Sequence, residues 1–190
     1  MPQKITQTER DAIDVELTEN EIELLTDAPE EPIRKIAMGL MAKCGLRVGE
    51  TVRVSPDNIT TNKGENPYLQ VESLGKTREV PLPHSLHTEI QDYVDEHQTE
   101  STESIVDRSE RTVSRWVKEA TEECYEDTGD ETWLDLSTLN LRDAWIRLLV
   151  TKGVPERKIK EISGIGTDMH LAEQVKRDGI ENIEWYSQGA

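Results

Sequence analysis

Three short stretches hold the residues of this 190-residue chain best suited to chemistry. They are Gly45-Leu46-Arg47-Val48-Gly49-Glu50, Gly75-Lys76-Thr77-Arg78-Glu79-Val80-Pro81-Leu82-Pro83 and Leu139-Asn140-Leu141-Arg142-Asp143. Between them they supply three arginines and a lysine, of which Arg47, Lys76 and Arg142 are the candidate phosphate-gripping cations. A guanidinium is a planar fork that holds two oxygens at once, and an ammonium is a compact point charge. Together they suit a phosphate whose oxygens gain charge during a reaction, where fixed cations and positioning dominate. Taken singly, each is ordinary: Arg47 reads as a helix-terminal cation, Lys76 as a solvated turn residue, and Arg142 as a surface arginine beside an apolar stripe.

The elements that must position them can be read from periodicity. Thr18-Glu19-Asn20-Glu21 is a capping-box start for a short helix from Glu19 to about Thr26. Ile33, Ile36, Ala37, Leu40, Met41 and Cys44 recur at helical spacing until Gly45 stops the helix, and a second short helix begins near Gly49. Residues 68–72 alternate like a strand, as do residues 78–82, with residues 73–77 as the turn of a β-hairpin. Pro83 and Ser85 then open a helix carrying Leu86, Ile90, Tyr93 and Val94. After a polar link, Val113, Trp116, Val117, Ala120 and Cys124 mark another helix. Leu141, Ala144, Trp145, Leu148 and Leu149 mark the next, which ends at Gly153. Pro155 starts a helix that stops at Gly164, and one more is expected from about Asp168 to Arg177. The expected fold is mainly α with a small antiparallel hairpin or three-stranded sheet inserted early. The expected organisation is a polar arm over residues 1–18, one domain over 19–178 and a tail over 179–190.

Composition narrows the classes further. Phe is absent and aromatics make up 4% of residues, so the core must rest on Leu, Ile, Val and four Trp. Lys and Arg number 22 against 39 Asp and Glu, a net charge of −17. The acids are spread over nearly every helix face, which fits adaptation to high salt, where screening shortens repulsion to ~3 Å at 1 M. A surface made for a basic partner is the competing reading. Cys44 and Cys124 are too few and too far apart for a disulfide framework or a zinc knuckle, and Cys44 reads as a buried thiol. No charged-then-apolar leader and no apolar run near 18 residues is present, so a cytoplasmic protein is expected.

In order and spacing, the three stretches resemble the catalytic domain of tyrosine recombinases, the phage-type integrases. The resemblance covers residues 18 to 178. It implies double-stranded DNA as partner, no cofactor, no metal and no small-molecule ligand. It also implies that Arg47 and Arg142 are the two phosphate-gripping arginines, that Glu50 supports Arg47, and that Lys76 is the lysine expected to protonate the leaving oxygen. The family's histidine before the second arginine is replaced by Leu139, which can neither donate a hydrogen bond nor shuttle a proton. Asp143 follows that arginine where a base is usual. Ile165 stands where His or Trp is expected, and Gln174 lies in the window where a nucleophilic tyrosine belongs. Tyr186 is the remaining candidate nucleophile, acting in cis or in a neighbour's site, against the simpler reading that Tyr186 and Trp185 pack the tail.

Residues 109–118, which include Arg111, Arg115 and Lys118, are the most basic stretch. They fit a recognition helix of a helix-turn-helix protein, a scaffold helix touching the DNA backbone in a recombinase, or a solvated face. His84, His87, His97 and His170 form no metal-ligand spacing. The resulting expectation is a DNA-binding regulator or accessory factor with a decayed cleavage site. An active minimal recombinase using Tyr186 is one alternative. The other is an interaction module that forms oligomers with itself or with a full-length integrase.

Overall fold

The computed structural model describes residues 3–5, 14–61, 66–73 and 75–164. Two short strands, β1 (Gln3–Ile5) and β2 (Asp14–Glu16), pair antiparallel, and β2 lies beside a helix near the end of the chain. Sequence reading assigned these residues to a polar arm. Three-residue strands are too short to show a period of two, so only the long-range packing reveals them.

Helix α1 (Glu19–Asp27) begins as its capping box predicts: the Glu21 carboxylate accepts from the Thr18 backbone N–H and hydroxyl, both at 2.8 Å. Helix α2 (Pro32–Ala42) has Pro32 in its first turn, where the missing N–H costs nothing. Every residue from Ile36 to Ala42 is buried, so α2 runs through the centre of the molecule. At Gly39 an added Cβ would sit 2.8 Å from Leu86 Cδ1, so this glycine lets the helix carrying Leu86 approach closely.

Gly45 ends this part of the chain with φ +65, a left-handed turn, and its Cα faces the ring of Trp145 so closely that any Cβ would overlap it. The turn delivers Arg47 to the N-cap position of the four-residue helix α3 (Val48–Thr51). Strand β3 (Ile59–Thr60) pairs with β4 (Tyr68–Ser73), and β4 with β5 (Lys76–Pro81), as one antiparallel sheet in the order β3-β4-β5. In the hairpin register Ser73 faces Lys76 and Val71 faces Arg78. Its loop is tighter than the sequence suggested, and Lys76 opens the strand instead of lying in the turn.

Helices α4 (His84–His97), α5 (Glu110–Thr128), α6 (Thr138–Thr151) and α7 (Glu156–Ser163) complete the domain. Residues 131–135 form a 3₁₀ turn against α5 that buries Trp133, a core residue no periodicity marked. Sheet residues Leu69, Val71 and Val80 join the same core as α2 and α6, while α7 packs on β5. Cys44 is buried, as its apolar spacing predicts, and burial pushes its thiol pKa up. The mainly helical fold with a three-stranded antiparallel sheet is the one expected.

Gly45→Ala adds both left-handed strain and overlap with Trp145. It is expected to lower the unfolding free energy by about 2–4 kcal/mol in urea titrations.

Candidate anion-binding site

The site is assembled from the starts of two helices, one strand and one helix end. After the Gly45 turn, α3 opens with Glu50 at its third position, and the Glu50 carboxylate reaches back to the Arg47 backbone N–H at 2.8 Å. The same carboxylate accepts from Arg47 Nη1 at 3.0 Å. Helix α6 starts when Asn140 Oδ1 accepts from the Ser137 backbone N–H at 2.9 Å. That start puts Leu139 in the first turn and Arg142 three residues on, on the same face.

Arg78 completes the cluster from β5. Its Nη1 and Nη2 donate to Glu50 Oε1 and Oε2 at 2.9 and 2.8 Å, a bidentate pair, and its Nε donates to the Ile162 carbonyl at 3.0 Å. Arg142 Nη2 donates to the neighbouring Ser163 carbonyl at 2.8 Å. The last turn of α7 therefore anchors two arginines. The side chain of Glu50 is 1% exposed and that of Arg78 8%, whereas Arg47 is 43% exposed.

Two guanidinium groups thus hold a single buried carboxylate, with Arg142 close enough to feel its charge. Burial alone would push the Glu50 pKa up. The Arg78 hydrogen bonds, the Arg47 N–H and the charges of both arginines outweigh it and hold the carboxyl at about 2. The pKa of Arg142, 7% exposed, is also lowered, but here the shift disfavours the charged form. Burial, then repulsion from Arg47 and Arg78, pushes it down to about 10 against the partial help of Glu50 and Asp143. It stays protonated at neutral pH, and an anion beside it would favour the charged form.

An open cavity of about 280 Å³ lies over this cluster. Arg47, Glu50, Arg53, Glu110, Leu139 and Arg142 line it, with Ser73 at the hairpin end. Lys76 is exposed and is the register partner of Ser73, but does not itself line the cavity. Leu139 lies in its wall and is 72% exposed, an apolar side chain where acid–base chemistry would need a polar one. Asp143 is exposed and does not line the cavity.

The structure therefore brings Arg47, Glu50 and Arg142 together, with Lys76 one register position from the cavity-lining Ser73. It does not bring Arg111, Arg115 or Lys118 to this place. They lie on the exposed face of α5, where Arg115 pairs with Glu119 at 3.4 Å and Lys118 with Glu122 at 3.5 Å. Ile165, Gln174 and Tyr186 lie outside the described residues. Among the described residues, no cluster of His, Cys, Asp and Glu could hold a metal, and no helix is long and apolar enough to cross a membrane.

Sequence reasoning missed Arg78, Arg53 and Glu110. A signal for Arg78 was present: it alternates with Lys76 and the buried Val80, so it occupies the inward face of β5 and needs a counter-charge. Glu110 carried no such signal. Its carboxylate reaches the cavity because residue 49 is glycine; a Cβ there would meet Glu110 Oε1 at 2.8 Å.

Residues 16–168 match the model of the phage integrase family. The chain is 26% identical over 183 residues to the tyrosine recombinase XerA of Pyrococcus furiosus, covering 88% of this chain and 63% of that protein. It thus spans less than two thirds of the relative's length. Among solved structures, an XerA recombinase superposes with a TM-score of 0.67 at 17% identity, over 84% of this chain and 59% of the other. The Tn1549 transposon integrase in complex with circular intermediate DNA gives 0.69 at 12% identity, over 92% and 67%. A lambda integrase dimer bound to a COC' core site gives 0.60 at 20% identity, over 90% and 50%. At these identities the superpositions establish a shared fold.

Two expectations follow from the charges. Because the folded pKa of Glu50 lies below its ordinary value of 4.5, its contribution is complete above that pH and is lost as pH falls toward about 2. In urea unfolding across that window, Glu50→Gln should flatten the pH dependence by roughly 3 kcal/mol in all. Glu110→Gln removes a negative charge from the cavity wall. It should tighten inorganic phosphate, followed by NMR titration, about threefold to tenfold at low salt.

Proposed function

Because the chain belongs to the phage integrase family, we propose that it binds double-stranded DNA by seating a backbone phosphate in the cavity between Arg47 and Arg142. The observation that carries this reading is the cavity lined by the buried Arg142 and the partly exposed Arg47, with the Glu50 carboxylate already held from behind by Arg78. A non-bridging phosphate oxygen beside Arg142 would favour its charged form, and the forked geometry of arginine suits it. Lys76 would approach the same phosphate from the hairpin.

The reading extends to a protein that holds DNA without cutting it. Strand cleavage needs a nucleophile and groups that move protons. Leu139 supplies neither, and the sequence has Ile165 and Gln174 where the family pattern has His or Trp and a tyrosine. A role as regulator or accessory factor at recombination sites follows. The dispersed acidic charge supports work at high salt, where non-specific backbone binding weakens steeply and a shaped, partly buried grip retains more of its strength. The same charge favours the rival reading of an interaction module that pairs with a full-length integrase.

Gel shifts in molar KCl, with duplexes flanking the chain's own gene, separate these readings. Arg47→Ala and Arg142→Ala should each weaken a sequence-selective complex by about tenfold to a hundredfold, with Tyr186→Phe unchanged. No selective complex at any salt would overturn the DNA-binding reading. A covalent Tyr186 adduct on a suicide substrate would overturn the non-cleaving one.

A further inference from the structure

Glu50 presents the cavity with a problem. A carboxylate behind a phosphate site repels the phosphate and draws the nearest cation inward. The nearest cation from the mouth of the cavity is Arg47, which reaches Glu50 Oε1 with one nitrogen at 3.0 Å while its side chain remains 43% exposed. If Arg47 had to neutralise Glu50 alone, it could not also offer its fork to an anion. Arg78 removes that conflict. It takes both Glu50 oxygens from behind, at 2.9 and 2.8 Å, and satisfies Nε on the Ile162 carbonyl at 3.0 Å. It does not line the cavity. Its donors toward Glu50 and α7 are satisfied within the protein.

The anchor on α7 adds a second constraint. Ile162 and Ser163 present consecutive carbonyls, one to Arg78 and one to Arg142. The arginine that neutralises Glu50 and the arginine in the cavity are therefore tied to adjacent residues at the end of α7. A lysine at 78 would keep the charge but could not span both Glu50 oxygens and the Ile162 carbonyl with a fixed fork.

We propose that Arg78 is a positioning residue for the phosphate grip: it saturates the Glu50 carboxylate from β5, anchored on the end of α7, so that Arg47 and Arg142 remain available to a DNA phosphate. This rests on the DNA-binding reading above. Arg78 acts through Glu50, so it matters only while Glu50 is charged.

That dependence supplies the test. DNA affinity of the full chain is measured by fluorescence anisotropy for wild type, Arg78→Gln, Glu50→Gln and the double variant, on a duplex flanking the chain's own gene. The Glu50 carboxyl is titrated by ¹³C NMR in wild type and Arg78→Gln. Arg78→Gln should weaken binding by about tenfold or more, because one partner of a buried pair is left without the other. The Glu50 carboxyl should titrate at higher pH in that variant. The double variant should bind within about threefold of Glu50→Gln, since a neutral side chain at 50 makes Arg78 dispensable. A residue serving packing alone would weaken the double variant as much as the single one. The proposal is overturned if Arg78→Gln binds as wild type does, if Glu50 titrates unchanged in it, or if the double variant binds far more weakly than Glu50→Gln. Should Arg78→Gln fail to fold, the comparison of Glu50→Gln with the double variant decides. Failure of wild type to bind DNA would sink the DNA-binding reading, while the titration still reports whether Arg78 holds the Glu50 charge.

Discussion

A carboxylate taken out of water must find cations within hydrogen-bonding reach, and the architecture around the cavity follows from meeting that demand at Glu50. Its partners come from different parts of the chain: Arg47 from the turn before α3, and Arg78 from the sheet, itself tied to the end of α7. Removing Arg78 would leave the buried carboxylate with Arg47 as its one side-chain cation, so the hairpin, the α3 turn and α7 are held in one relative arrangement. Packing supplies the matching constraint on the other side. Trp145 lies against the backbone of Gly45, which ties the turn carrying Arg47 to the helix carrying Arg142.

The local field of this cluster has the opposite sign to that of the whole molecule. A net charge of −17 is spread over surfaces where cations are answered by nearby acids, as Arg115 and Lys118 are by Glu119 and Glu122 on α5. Exposed pairs of that kind contribute little and fade with salt. Beside the cavity, Arg47 and Arg78 converge on one shared carboxylate, and the burial of Glu50 and Arg78 keeps their pairing from being screened to the same degree. An acidic protein of the phage integrase family thus carries, among the described residues, a concentrated positive cluster, with Glu110 at its wall tempering it.

Much of this could be read in advance. Capping chemistry at Thr18 and Glu21, the apolar stripe of α2 and the Gly45 stop are short-range signals, and each element formed where its residues place it. Arg47 and Glu50 belong to one such local unit, because the third residue of a helix reaches back to its N-cap. The pairing of β1 with β2 and the burial of Trp133 depend on contacts between distant segments and leave almost no periodic trace. Arg78 lies between these cases: strand alternation put it on an inward face, but nothing in its neighbourhood named its partner.

By itself, the sequence determined the mainly helical architecture with its inserted sheet, the family to which the chain belongs and the order in which Arg47, Lys76 and Arg142 occur. These follow from periodicities and motifs written over a few adjacent residues. Only the tertiary structure decided that Arg142 is buried rather than solvated, that Lys76 pairs with Ser73 at the start of β5, that the basic face of α5 does not line the cavity, and that Arg78 is the principal partner of Glu50. The reason is physical: which charges meet, and how far water is excluded from them, is set by how separate elements pack, and residues 50, 78, 142 and 162 meet only after the chain has folded on itself.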